Sequence, residues 1–129
     1  MLQVVGWVDL GIDLYEGDSG DDLEQLVSTI EEAAADLDLS RAVEVSGIGG
    51  TFMLRLALVQ NRDNGDSDRC FELLRRVGLA GPASYGVFYK RDDDSGESLE
   101  RFVLRRGSAE VVEDDLFSPV VPMIEDDTR

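Results

Sequence analysis

The sequence predicts an α+β fold: a split βαβ (ferredoxin-like) antiparallel sheet with two helices on one face and an added C-terminal hairpin. Three observations carry this expectation. Strand-like alternation and helix-like spacing of apolar residues follow one another as strand, helix, strand, strand, helix, strand, the split βαβ order, with a further hairpin appended. Glycine-rich breaks fall where tight turns would join neighbouring strands. Each helix has a single apolar face, so both most simply cover one side of one sheet. The other side is then solvated, covered by the C-terminal tail, or used for binding.

The first strand is expected over Val4 to Leu10, an apolar β-prone run containing Gly6 and Trp7; Trp7 reads as a core residue among Val and Leu. Gly11 to Gly20 is rich in Asp and Gly and reads as a loop. Ser19 and Asp22 resemble a capping box, and Leu23, Leu26, Val27, Ile30, Ala34 and Leu37 recur at helical spacing, giving a first helix over Asp21 to Leu37. Asp21, Asp22 and Glu24 then meet the positive end of its dipole. Val and Glu alternate from Ala42 to Ser46, Gly47, Gly49 and Gly50 break the chain, and Phe52, Leu54, Leu56 and Leu58 share one face of a partner strand over Thr51 to Val59.

Gln60 to Ser67 reads as a loop, with Asn64, Gly65, Asp66, Ser67 and Asp68 supplying a turn and a helix cap. Cys70, Phe71, Leu74 and Val77 predict a short second helix that Gly78, Gly81 and Pro82 end, with Cys70 on its buried side. Tyr85, Val87 and Tyr89 alternate with Gly86, Phe88 and Lys90, and Phe102 and Leu104 with Val103 and Arg105, so these runs form a hairpin around the loop Asp92 to Ser98. Arg106 and Gly107 turn into a sixth strand near Glu110 to Val112. The expectation is one domain over residues 1–129, in which an extended tail, residues 114–129, packs Val120, Val121 and Ile124 onto the rest while Pro119 and Pro122 prevent strand pairing.

Composition removes several chemistries. The 129 residues carry 12 Lys plus Arg against 28 Asp plus Glu, a formal charge of −16, and 43% are hydrophobic, enough for a core. A surface this negative repels nucleic acid and anionic lipid, which bind through Lys and Arg. Without His there is no Ser-His-Asp triad, no Cys-His pair and no imidazole metal ligand. The single Cys70 allows no internal disulfide, Met1 is followed by no basic leader, and Asp9 interrupts the early apolar stretch, so a cytoplasmic protein is expected. The acidity itself has two readings, solubility or a functional charged surface.

The run Asp92, Asp93, Asp94, Ser95, Gly96, Glu97 has oxygen ligands for a divalent cation but lacks the alternating spacing of an EF-hand loop, so an acidic hairpin tip is the simpler reading and no metal or cofactor is assigned. Gly47, Gly49 and Gly50 lack the lysine of a phosphate-binding loop and precede a strand. Tyr85 and Tyr89 have hydroxyls that need partners, and aromatic residues on an open sheet face are typical anchors of protein interfaces.

The last third carries a recognisable pattern: Ser84-Tyr85-Gly86-Val87-Phe88-Tyr89-Lys90-Arg91-Asp92-Asp93, then Phe102-Val103-Leu104-Arg105-Arg106-Gly107, then Ser118-Pro119-Val120-Val121-Pro122-Met123-Ile124-Glu125-Asp126. Together with Gly6-Trp7 in the first strand and the order of elements, it resembles the immunity protein 7 family of bacterial polymorphic toxin systems. Val5 stands where a His often precedes Gly-Trp. The resemblance implies a protein without catalytic activity that binds and neutralises a cognate toxin domain delivered between competing cells.

Chemistry agrees in kind. Many delivered toxins are nucleases with basic grooves, towards which an acidic inhibitor is steered. The expected toxin contacts are Asp92, Asp93, Asp94 and Glu97, supported by Asp126 and Asp127, with Tyr89 as an aromatic anchor. Two other classes compete. A small-ligand regulatory domain would show a pocket with convergent polar groups, and a carboxylate-metal hydrolase would be stabilised by Ca²⁺ or Mg²⁺.

Overall fold

A computed structural model describes residues 1–12, 20–93 and 99–114, and within them the side chains of Ile48 and Asp114 are excepted. In chain order the elements are β1 (Leu2–Leu10), α1 (Gly20–Asp36), β2 (Val43–Ile48), β3 (Thr51–Gln60), α2 (Asp66–Ala80), β4 (Tyr85–Asp92), β5 (Leu99–Arg105) and β6 (Ser108–Asp114). The strands form one antiparallel sheet of six, in the order β2-β3-β1-β4-β5-β6. β3 lies between β1 and β2, and β1 between β3 and β4, so each strand–helix–strand connection straddles one strand; β5 and β6 extend the sheet beyond β4. The α+β architecture with an added hairpin is the one the sequence predicts.

Alternation decides the two faces of the sheet. Leu2, Val4, Val8 and Leu10 of β1 lie on the same face as Leu54, Leu56 and Leu58 of β3, Phe88 of β4, and Phe102 and Leu104 of β5, and all are buried. Leu23, Leu26, Ile30, Ala33 and Ala34 of α1 and Cys70, Leu73, Leu74 and Val77 of α2 complete the same core, so both helices cover this face. Phe71 meets Phe102 edge to face at 5.3 Å between ring centres. Burial, with Asp66 nearby, pushes the Cys70 thiol up to about 12, so it stays protonated and serves as packing.

The turns explain themselves in backbone terms. Ile48 pairs with Thr51 across Gly49 and Gly50, whose φ values of 62° and 85° cost glycine nothing. β1 and β4 run unusually close: a Cβ on Gly6 would stand 2.0 Å from the Val87 carbonyl oxygen, and one on Gly86 would stand 2.1 Å from that of Trp7. The ends of these two strands are tied by Ser84, fully buried, whose hydroxyl accepts from the Gly11 amide at 3.0 Å and donates to the Gly11 carbonyl at 3.1 Å.

α2 departs from its expected limits at both ends. It starts at Asp66, inside the expected loop, because Asp63 reaches forward to cap it: its carboxylate accepts from the amides of Gly65 at 3.1 Å and Ser67 at 3.2 Å, and from the Ser67 hydroxyl. It also runs through Gly78. That glycine is a contact point, since a Cβ there would sit 2.6 Å from Leu104 Cδ1 and 3.1 Å from the Gly107 carbonyl oxygen. The helix stops at Gly81, whose amide donates to the Val77 carbonyl at 2.8 Å ahead of Pro82. The expected capping residue Ser19 of α1 and the tail residues Pro119, Val120, Val121, Pro122 and Ile124 lie outside the described residues.

Candidate functional site: the helix-free face of the sheet

Among the described residues no element packs on the second face of the sheet, which carries the odd-numbered side chains of β1, β3, β4 and β5. Trp7 lies there and not in the core: it is 39% exposed, and it stands directly across from Arg55 on β3 and Val87 on β4. Val5, Met53, Val59 and Tyr85 share this face and are exposed too, Tyr85 by 51%. The indole of Trp7 meets the Tyr85 ring edge to face, 6.1 Å apart at 86°. The Tyr85 hydroxyl donates to Asp9 Oδ2 at 2.9 Å, and that bond to a carboxylate raises the phenol above its ordinary pKa. Trp7, Asp9, Met53, Arg55 and Tyr85 thus line a shallow hollow whose floor is the Gly6 backbone.

The close approach of β1 and β4 at Gly6 and Gly86 builds this arrangement. It brings Trp7 and Tyr85, diagonal neighbours across the two strands, into ring contact. Arg55 closes the β3 side, donating to Ser46 Oγ at 3.1 Å with Glu44 at 3.9 Å. Farther along, Arg91, Arg101 and Arg105 share the face with Glu110. With Asp9 and Glu44 near Arg55 and Asp93 on Arg91, the described charged side chains here number four cations and four anions, a near balance in a chain of net charge −16. The helical side differs sharply. α1 exposes Asp21, Asp22, Glu24, Glu31, Glu32 and Asp36 and contains no Lys or Arg.

Three of the expected contact residues, Tyr89, Asp92 and Asp93, are among the described residues, and they differ in exposure. Tyr89 lies half-buried on the helix-free face, between Val5 and Arg101. Asp93 is exposed and pairs with Arg91 at 3.2 Å, while its amide donates to the Met1 carbonyl at 3.1 Å. Asp92 is a correction to the idea of one exposed acidic run: it is only 8% exposed, because it ends β4 in step with the core-facing Phe88. Lys90, in the same step, is flanked by Glu100 at 3.2 Å and Asp63 at 3.9 Å. Asp94, Glu97, Asp126 and Asp127 lie outside the described residues. Among the described residues no cluster of three or more metal-ligating side chains occurs, and no helix is long and apolar enough to cross a membrane.

The model of the family described as immunity protein 7 matches residues 1–126. The chain belongs to the immunity protein 7 family. Gly6-Trp7, part of the pattern by which the sequence resembles the family, is the stretch around which the hollow is built. The family implies an immunity protein acting against a toxin. No curated protein matches the sequence. A solved structure of a phage SAM lyase in complex with S-methyl-5'-thioadenosine is similar over 88% of this chain and 88% of its own, at 10% identity and a TM-score of 0.40, a likeness that carries no argument about this immunity protein.

The parity of β1 could have placed Trp7 correctly from sequence. Leu2, Val4, Val8 and Leu10 occupy one side of the alternation, which leaves Val5, Trp7 and the polar Asp9 on the other.

Proposed function

We propose that this immunity protein neutralises its toxin by binding one equivalent of the toxin domain, and that the domain is a basic, nuclease-type effector. The acidic surface of α1, six exposed carboxylates on a helix without Lys or Arg, on a chain of net charge −16, is the observation that carries this reading. Such a field attracts a protein whose groove is built for phosphates, and repels the nucleic acid competing for that groove. Asp93 contributes an exposed carboxylate, and this reading keeps Asp94, Glu97, Asp126 and Asp127 as further acidic contacts, with Tyr89 supplying aromatic contact. Asp92 is left out because it is buried.

Titration of toxin activity tests the reading. Toxin activity should fall linearly to zero at one equivalent, and the association rate should drop as salt rises. Complete silencing at a small fraction of an equivalent would indicate turnover and overturn stoichiometric binding. A salt-independent association rate would overturn the basic partner.

A further inference from the structure

Resting on that reading, we infer that the toxin domain docks on the helix-free face of the sheet, seating one of its apolar side chains in the hollow between Trp7, Met53 and Tyr85 with Arg55 at the rim. The face has the composition of an interface centre: Trp, Tyr, Met and Arg concentrate at such centres and supply most of the residues whose truncation is costly. Here they stand together, exposed, on rigid central strands. Trp7 and Tyr85 are already oriented by their ring contact and by the bond from the Tyr85 hydroxyl to Asp9, so little side-chain freedom remains to be lost on docking.

Charge selects the occupant. The near-neutral face lets an apolar side chain enter without stripping water from a row of carboxylates, whereas α1 presents six exposed ones on a helix without Lys or Arg. A second copy of this chain, also at −16, is repelled during approach, while a net-basic toxin domain is attracted. The helical side thus supplies the long-range field and the sheet supplies the contact. Among the described residues Arg55 is held by exposed, weak partners, Ser46 and Glu44, which an acceptor on the toxin can replace.

The test uses the full chain and the toxin domain it neutralises, with dissociation measured on immobilised toxin. Trp7→Ala should speed dissociation at least ~30-fold, the effect of an interface hot spot, and Tyr85→Ala about tenfold. Met53→Glu adds a charge to the hollow without touching the core and should weaken binding as strongly, while Glu31→Gln on α1 leaves the dissociation rate unchanged. Thermal unfolding of each variant separates lost binding from lost folding. If the wild-type chain neither binds nor inhibits, the functional reading itself fails. If it inhibits and folded Trp7→Ala and Met53→Glu variants dissociate at the wild-type rate, that reading stands and the docking surface is overturned. A free chain that sediments as a dimer dissociated by Met53→Glu assigns the face to a second copy. A free chain whose Trp7 emission shifts on deleting residues 115–129 assigns it to the tail. Either result overturns the inference.

Discussion

The two faces of one sheet both carry apolar residues and use them differently. On the helix-covered face Leu2, Val4, Val8, Leu54, Leu56, Phe88 and Leu104 are almost wholly removed from water, and removal of any one leaves a cavity. On the other, Val5, Trp7, Met53, Val59 and Tyr85 keep more than a third of their surface in water. Stability therefore resides in the first face. The second retains apolar surface that another protein can cover, which is what a small binding protein needs when its fold is already supported from the opposite side. The charges follow the same division, with the acidic α1 behind the sheet and a nearly neutral face in front.

The largest expected effect comes from truncation on the covered face. Phe88→Ala should cost ~3–5 kcal/mol in urea-induced unfolding, against about 1–2 kcal/mol for Trp7→Ala, which loses the partial burial of a residue 39% exposed and its edge-to-face contact with Tyr85. Equal losses would erase the distinction between the faces. Next in size, Gly6→Ala should cost about 1–3 kcal/mol, because the new methyl meets the Val87 carbonyl oxygen and forces β1 from β4. The same variant should loosen the Trp7–Tyr85 contact, a change visible in near-ultraviolet circular dichroism; unaltered ellipticity and stability would show that the close approach does not position the rings.

Charge changes behind the sheet should act on encounter alone. Neutralising Glu31 and Glu32 together to Gln should slow association with the toxin by roughly two- to fivefold at low salt and flatten its salt dependence, with stability within ~0.5 kcal/mol of wild type. The smallest effect concerns pH. Burial would raise the Asp63 carboxyl, but hydrogen bonds from the Ser67 hydroxyl and the Ser67 and Gly65 amides, together with Lys90, outweigh it and hold the group below the usual carboxylate range. A carboxyl depressed in the folded state stabilises above its unfolded pKa and loses that stabilisation as pH falls through the folded one. The gap in melting temperature between wild type and Asp63→Asn should therefore be constant near neutrality and close as pH drops below about 4. A gap that widened on acidification would contradict the capping role.

Periodicity revealed most of the fold because each strand has one side buried. Leu54, Leu56 and Leu58, or Leu23, Leu26 and Ile30, declare their element and its inner face at once. Close approach was not legible in the same way. Gly78 has the spacing of a helix terminator, yet it is where α2 touches Leu104 and Gly107, and that depends on an element nearly thirty residues away in the chain. Of the candidate site, the aromatic signal at Tyr85 and Tyr89 is visible in the sequence, but the apolar neighbours of Trp7 argue for the core while its alternation with Asp9 argues for the open face. The acidic run misled through composition: three carboxylates in a row read as one exposed tip, whereas the pleat of β4 turns Asp92 inward and Asp93 outward.

Trp7 is the sole tryptophan in the chain, so replacing it with fluorotryptophan gives a single fluorine resonance at the centre of the proposed contact. Titrated with one equivalent of inactive toxin domain, that resonance should move to a new position and lose its solvent isotope shift as water leaves the indole. A toxin that is fully bound while the resonance keeps its position and its solvent isotope shift would contradict docking on the helix-free face.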